Sequence, residues 1–68
     1  SAKREMRALA LNNRAVMNLL AGDKVAALQD LMQAVRLDNA ELMLANLQRL
    51  TQSINGVEAP QLALQAAE

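Results

Sequence analysis

The stretch LNNRAVMNLLAGDKVAALQDLMQAV, residues 11–35, decides the fold of this chain. Gly22 and Asp23 interrupt a run of residues that otherwise favour helix. Glycine suits the left-handed residue just past the end of a helix. Aspartate can cap the next helix, because its carboxylate accepts from N–H groups of the first turn. The stretch therefore predicts one helix from about Lys3 to Ala21 and a second helix that begins after Asp23.

The second helix carries a wide apolar stripe with members three and four residues apart, at Val25, Leu28, Leu31, Met32 and Val35. Small residues on that side would let it approach the first helix closely. We predict that Leu31 is buried between the two helices, with Ala15 and Ala27 at the point of closest approach.

A second break is predicted at residues 38–41. Asp38 and Glu41 read as a capping box, with Asp38 as the N-cap and Glu41 three residues later. No Gly or Pro lies between residues 35 and 42, so one continuous helix from Asp23 to Ile54 remains the alternative. With the break, the third helix carries apolar residues at Leu42, Ala45 (or Asn46), Leu47, Leu50 and Ile54.

The end of the chain is predicted to form a turn and a short helix or tail. Asn55 and Gly56 would end the third helix, and Pro60 fits the first turn of a last helix reaching Ala67. The expected fold is all-α: an antiparallel helical hairpin, a third helix and a short C-terminal helix. We assign residues 1–54 to one helical module and residues 55–68 to the turn and tail.

Composition excludes most chemistry. The chain has 68 residues, no net charge, and no Cys, His or aromatic residue. These absences remove disulfides, the usual zinc sites, and catalysis by imidazole or thiol. Only two glycines are present, so there is no Gly-rich phosphate loop. We therefore predict no enzyme activity and no cofactor. A core this small rarely suffices alone, which makes association with another protein or with a second copy the expected source of stability.

Residues 11–23 resemble the first helix and turn of a tetratricopeptide repeat. Ala27, Leu31 and Ala34 stand at the spacings of that repeat's second-helix signature: a small residue, a large one four later, and a small one three after that. Residues 44–47 look like the opening of a following repeat. The resemblance covers about residues 8–52, and it implies stacked helical hairpins that bind proteins.

The sequence departs from this family at four positions where the repeat has, in order, a large residue such as Trp, a Tyr or Leu, a Pro, and a small residue: Leu11, Asn18, Asn39 and Gln48. The resemblance implies that Asn13 and Asn46 face a groove and hold a bound peptide. Basic residues that would complete a carboxylate-binding clamp are missing, so recognition of a C-terminal carboxylate is not expected. The alternative for both asparagines is a satisfied polar role between helices.

Other candidate partner-binding residues are apolar or basic. Leu20, Leu42 and Leu44 lie beyond a single stripe, so a hairpin alone cannot cover them. Arg7 and Arg14 belong to a basic first segment that suits an acidic protein surface or is simply solvated. Without aromatics it does not favour nucleic acid. The methionines are expected to fill the core, with an adaptable binding surface as the alternative: Met6, Met17, Met32 and Met43.

The sequence thus predicts a non-enzymatic protein–protein interaction module within a larger assembly. The alternative is a self-associating helical bundle or coiled coil, with a seam on the second helix at Val25, Leu28, Met32 and Val35. The partner is a protein or a second copy, with neither nucleic acid nor a membrane span expected. No targeting segment is visible in the sequence, and the compartment is not predicted.

Overall fold

A computed structural model describes residues 2–54, which form three helices. They are α1 (Ala2–Leu20), α2 (Lys24–Leu37) and α3 (Glu41–Ile54). Between residues 2 and 54 there is no strand. The all-α class is therefore confirmed. The predicted stop at Asn55 and Gly56 and the predicted short helix of residues 60–67 lie outside the described residues.

The turn between α1 and α2 has the geometry that its two punctuating residues predict. Gly22 has φ +85°, and its N–H donates to the carbonyl of Leu19 at 3.0 Å. The N–H of Asp23 reaches back to the carbonyl of Asn18 at 2.8 Å, which completes a Schellman motif. The Asp23 carboxylate then accepts from the N–H of Ala26 at 3.0 Å and caps α2. Both roles predicted for this pair are confirmed.

Helix α2 lies at the centre of the packing, because it contacts both α1 and α3, whereas α1 and α3 touch more sparsely. One core cluster joins Ala15 of α1, Ala27 and Leu31 of α2, and Leu50 of α3, all fully buried. The predicted burial of Leu31 beside Ala15 and Ala27 is confirmed. A second cluster is made of Ala8, Ala34 and Met43. Both clusters place alanines of α1 against alanines of α2, so small residues line the contact between these helices.

The chain breaks between α2 and α3, so the continuous helix over residues 24–54 is wrong. The break is built differently from the predicted capping box. Asp38 ends α2: its N–H donates to the carbonyl of Ala34 at 2.9 Å, and its backbone is extended at φ −148° and ψ 111°. Helix α3 starts at Glu41, and the carbonyl of Ala40 accepts its first hydrogen bond, from the N–H of Leu44.

Asp38 is therefore a C-cap, and its prediction as the N-cap of α3 is wrong. It lies two residues before the N-cap position at Ala40, too far back to serve the first turn of α3. The N–H of Ala40 instead donates to the carbonyl of Asp38 at 2.8 Å, which forms a tight turn centred on Asn39. Because no residue other than Gly22 has a positive φ in the described chain, this is an inverse γ-turn.

Candidate protein-interaction surface

In the part of the chain that the structure describes, the outer face of α1 carries a row of mostly apolar side chains that are exposed or, at Asn13, half-buried. Its members are spaced four, three, four and three residues apart, and we call them the α1 stripe: Met6, Ala10, Asn13, Met17 and Leu20. This spacing keeps side chains on one face of a helix. The exposed fractions of Met6, Met17 and Leu20 are 68%, 64% and 77%. Contiguous apolar surface of this kind marks interaction sites in soluble proteins.

The α1 stripe is continuous with the core along one edge. Leu9 and Val16 are half-buried and pack against the two core clusters. They stand between the buried face of α1 and the stripe, so apolar surface runs without interruption from the interior to the outside. A partner helix laid on the stripe would extend the existing core.

The outer face of α2 is more polar. Val25 and Met32 are exposed there, the latter by 43%. Met32 shares a shallow depression with polar neighbours, Gln29, Gln33 and Arg36. The other two members of the predicted α2 seam, Leu28 and Val35, pack against the core clusters. The structure therefore divides that seam between interior and surface.

A buried pair of amides links α1 to α3. The side chains of Asn12 and Asn46 have no solvent exposure, and Asn46 Nδ2 donates to Asn12 Oδ1 at 2.9 Å. Asn12 Nδ2 in turn donates to Asn13 Oδ1 at 3.3 Å. A buried amide without a partner would cost about 1–3 kcal/mol, so this pairing fixes which residues of α1 and α3 meet.

A second polar group ties α1 to α2. The guanidinium of Arg14 donates to both carboxylate oxygens of Asp30, at 2.7 and 2.9 Å, and Asn18 Nδ2 donates to the same carboxylate at 2.9 Å. The hydrogen bonds from Arg14 hold the pKa of Asp30 below its usual range, although burial opposes them. Asp30 is buried while Arg14 keeps most of its side chain in solvent. These three side chains join α1 to α2 and have a structural role, and we call them the clamp at Asp30.

Basic residues gather at the end where α1 begins and α2 ends. Lys3, Arg4 and Arg7 line an open depression with Leu37, and Arg7 also lines its neighbour with Arg36. Both depressions are open to solvent, and Leu37 packs against a core cluster. This end therefore offers positive charge around an apolar floor.

The structure places Asn13 and Leu20 on the α1 stripe, and it links Asn13 to Asn46 through the amide of Asn12. Arg7 lies at the basic end, Arg14 is bound to Asp30, and Asn46 is buried against Asn12. Leu42 and Leu44 are half-buried and are not among the side chains that pack on either core cluster. Whether these residues contact a partner stays a prediction.

The prediction that the methionines fill the core is confirmed for Met43 and wrong for the other three. Only Met43 is buried, whereas Met6 and Met17 are largely exposed and Met32 is partly so. Helical spacing alone does not distinguish a stripe facing the core from a second stripe on the same helix. The regular four-three spacing from Met6 to Leu20 shows that these residues share one face of α1, but it does not show whether that face points to the core or to solvent.

No family model matches this chain, and no curated protein or solved structure gives a significant match. None of the described helices is long and apolar enough to cross a membrane. Among residues 2–54, no three His, Cys, Asp or Glu side chains are grouped so that they could hold a metal ion.

Proposed function

We propose that this chain is a non-enzymatic protein–protein interaction module that works inside a larger assembly. The observation that carries the proposal is the exposure of Met6, Met17 and Leu20 on one face of α1. At about 25 cal/mol per Å² of apolar surface removed from water, covering three such side chains favours association. Methionine side chains adapt to varied surfaces, which suits a binding face.

We also propose that α1 and α2 form an antiparallel hairpin of the tetratricopeptide type. Two contacts support this arrangement: Ala8, early in α1, clusters with Ala34, late in α2, while Ala15 clusters with Ala27. The short connection through Gly22 also favours antiparallel neighbours. A single hairpin of a repeat protein leaves one face for the next unit to cover.

The partner is expected to be a helix or a helical surface, since regular four-three spacing fits the groove of a facing helix. The same spacing supports the alternative function, self-association as a helical bundle, with the seam on α1. Asn46 is not assigned to this surface because its amide is buried against Asn12.

Site-specific photo-cross-linking in the producing cell tests the proposal. A photoreactive amino acid replaces Met17 on the α1 stripe or, as the matched control, Met32 on the outer face of α2. We expect protein adducts from position 17 that position 32 does not give. If neither position yields a protein adduct while the tagged chain is present and folded, the chain is not an interaction module of this kind.

A further inference from the structure

The α1 stripe has a symmetry that indicates its partner. Asn13 stands at its centre, with Met6 seven residues before and Leu20 seven residues after. Between them, Ala10 and Met17 stand on either side of Asn13, a small side chain and a large one. A row that reads similarly in both directions can pack against a copy of itself turned end for end.

We propose that α1 pairs with α1 of a second copy of this chain, antiparallel, with the two-fold axis beside Asn13. The proposal rests on the interaction function above and names its partner. Met6 of one copy packs against Leu20 of the other, and Ala10 receives Met17 of the other. A two-fold interface of this kind uses the same patch on both subunits.

Charge favours the antiparallel direction. A parallel pair would place the first turns of both α1 helices side by side, and with them Lys3 of both copies and the positive ends of two helix dipoles. In the antiparallel pair, the first turn of α1 lies beside the turn that follows α1 in the second copy. Lys3 then comes level with Asp23 of the second copy, whose side chain is exposed.

Asn13 gives the pair its register. A polar residue at one seam position specifies alignment at some cost in stability, because shifted alignments place the amide against apolar side chains. With the axis beside Asn13, the two amides meet each other and neither faces an apolar side chain. A shift by one heptad would put Asn13 opposite Met6 or Leu20.

The interface also continues the packing that each copy already has. Leu9 and Val16 flank the stripe and are half-buried against the core clusters. A second α1 helix laid along the stripe covers what remains exposed of them. The interface therefore buries apolar surface of these two flanking residues in addition to that of the stripe itself.

Sedimentation equilibrium on the purified chain tests the pairing, with two methionine variants as a matched pair. Met17→Glu places a charge in the seam, whereas Met32→Glu places the same charge on the outer face of α2. We expect the parent chain to be a dimer and Met17→Glu to weaken dimerisation by at least about tenfold. Met32→Glu should leave it within about twofold. A monomeric parent, or a larger effect of Met32→Glu, overturns the proposal.

Cysteine cross-linking tests direction and register, and the native sequence contains no Cys to interfere. A mixture of Met6→Cys and Leu20→Cys chains should form a disulfide between the two variants. Neither variant alone should cross-link, because positions 6 and 20 are about 21 Å apart along a helix. Self-cross-linking of either variant would show a parallel pair and overturn the antiparallel assignment.

The two proposals can fail separately. A monomer in sedimentation together with adducts from position 17 to a different protein would reject self-pairing and retain the interaction function. A dimer cross-linked between positions 6 and 20, with adducts in the cell only to the chain itself, supports both. Circular dichroism of each variant shows that lost pairing does not reflect lost helix.

Discussion

At the scale of single residues, the buried polar groups decide which surfaces of the helices meet. The apolar clusters are built mainly from alanine and leucine, which pack in several registers at similar cost. The pairing of Asn12 with Asn46 favours a single register of α1 against α3. In any other register a buried amide would lose its hydrogen bond, and water could not replace it. Arg14 and Asp30 do the same for α1 and α2.

Replacing one amide of the buried pair should lower the free energy of unfolding more than replacing an exposed asparagine. Asn46→Ala removes the donor to Asn12 and leaves the Asn12 oxygen buried without it, so we expect a loss of about 1–3 kcal/mol in the free energy of unfolding. Asn39→Ala, at an exposed turn, is the control. Urea titration followed by circular dichroism measures both. Equal losses would mean that the pair does not stabilise the fold.

The clamp at Asp30 should make stability depend on pH. Hydrogen bonds from Arg14 lower the pKa of Asp30 in the folded chain, so the carboxylate contributes stability above its unfolded pKa of about 3.9. That contribution is lost as pH falls through the folded pKa. Asp30→Asn should therefore cost about 1 kcal/mol at pH 7 and progressively less in acid.

The matched control is Asp23→Asn, because asparagine is also a good N-cap and the position is exposed. Unfolding free energies of both variants and the parent are measured from neutral pH down to about pH 2, below the unfolded pKa. If Asp30→Asn lowers the free energy of unfolding by the same amount at every pH in this range, the charge of the Asp30 carboxylate does not contribute to stability.

At the scale of elements, the two connections between helices differ in how they are built. The first uses Gly22 in the left-handed region and a side-chain cap from Asp23. The second uses neither: Asp38 is extended, and Asn39 stands in a γ-turn held by backbone groups. Its geometry therefore depends on backbone shape more than on side-chain bonds.

Asn39→Pro should be tolerated and should stabilise the chain by up to about 1 kcal/mol. The extended backbone of Asp38 is the conformation that proline requires of the residue before it. In the described part of the chain, no backbone hydrogen bond from the Asn39 N–H would be lost. Gln33→Pro, inside α2, is the control and should cost about 3 kcal/mol. Thermal melts compare the two variants.

A companion variant addresses the cap. Asp38→Ala would cost about 0.5–2 kcal/mol if Asp38 capped α3. The structure makes Asp38 the end of α2, held through its backbone N–H, so the loss should be below that range. A loss within the range would restore the capping box.

The two connections also show what sequence can predict. Gly22 and Asp23 each have a local mechanism, left-handed backbone and side-chain capping, so the sequence predicts their roles. Residues 38–41 have the residue types of a capping box, so the sequence predicts one. In the structure, however, the extended backbone of Asp38 ends α2 and does not begin α3. The α1 stripe was missed for a different reason: exposure depends on where α2 and α3 lie, and residue spacing within α1 does not contain that information.

At the scale of the whole molecule, exposed apolar surface and small size act together. A domain of about 60 residues buries only about 60% of the surface that its unfolded chain exposes. This chain additionally leaves Met6, Met17 and Leu20 outside. The folded state should therefore gain much of its stability from whatever covers the α1 stripe.

Melting temperature should rise with protein concentration, because association stabilises the folded state by mass action. Leu20→Glu, which charges the most exposed large side chain of the stripe, should flatten this dependence. Calorimetric scans over a hundredfold dilution series measure how the melting temperature depends on concentration. Val25→Glu, on α2, is the control. A sharp melt at the same temperature throughout the series would count against association of the purified chain.

The alanines between α1 and α2 have a thermodynamic consequence. Alanine loses no side-chain rotamer freedom on burial. The contact between α1 and α2 therefore costs little side-chain entropy, and it also removes little apolar area from water; its alanines are Ala8, Ala15, Ala27 and Ala34. The heat capacity of unfolding should then fall below the usual ~12–15 cal/mol/K per residue. Differential scanning calorimetry should accordingly give a broad, flat stability curve, on which the folded state weakens little on cooling.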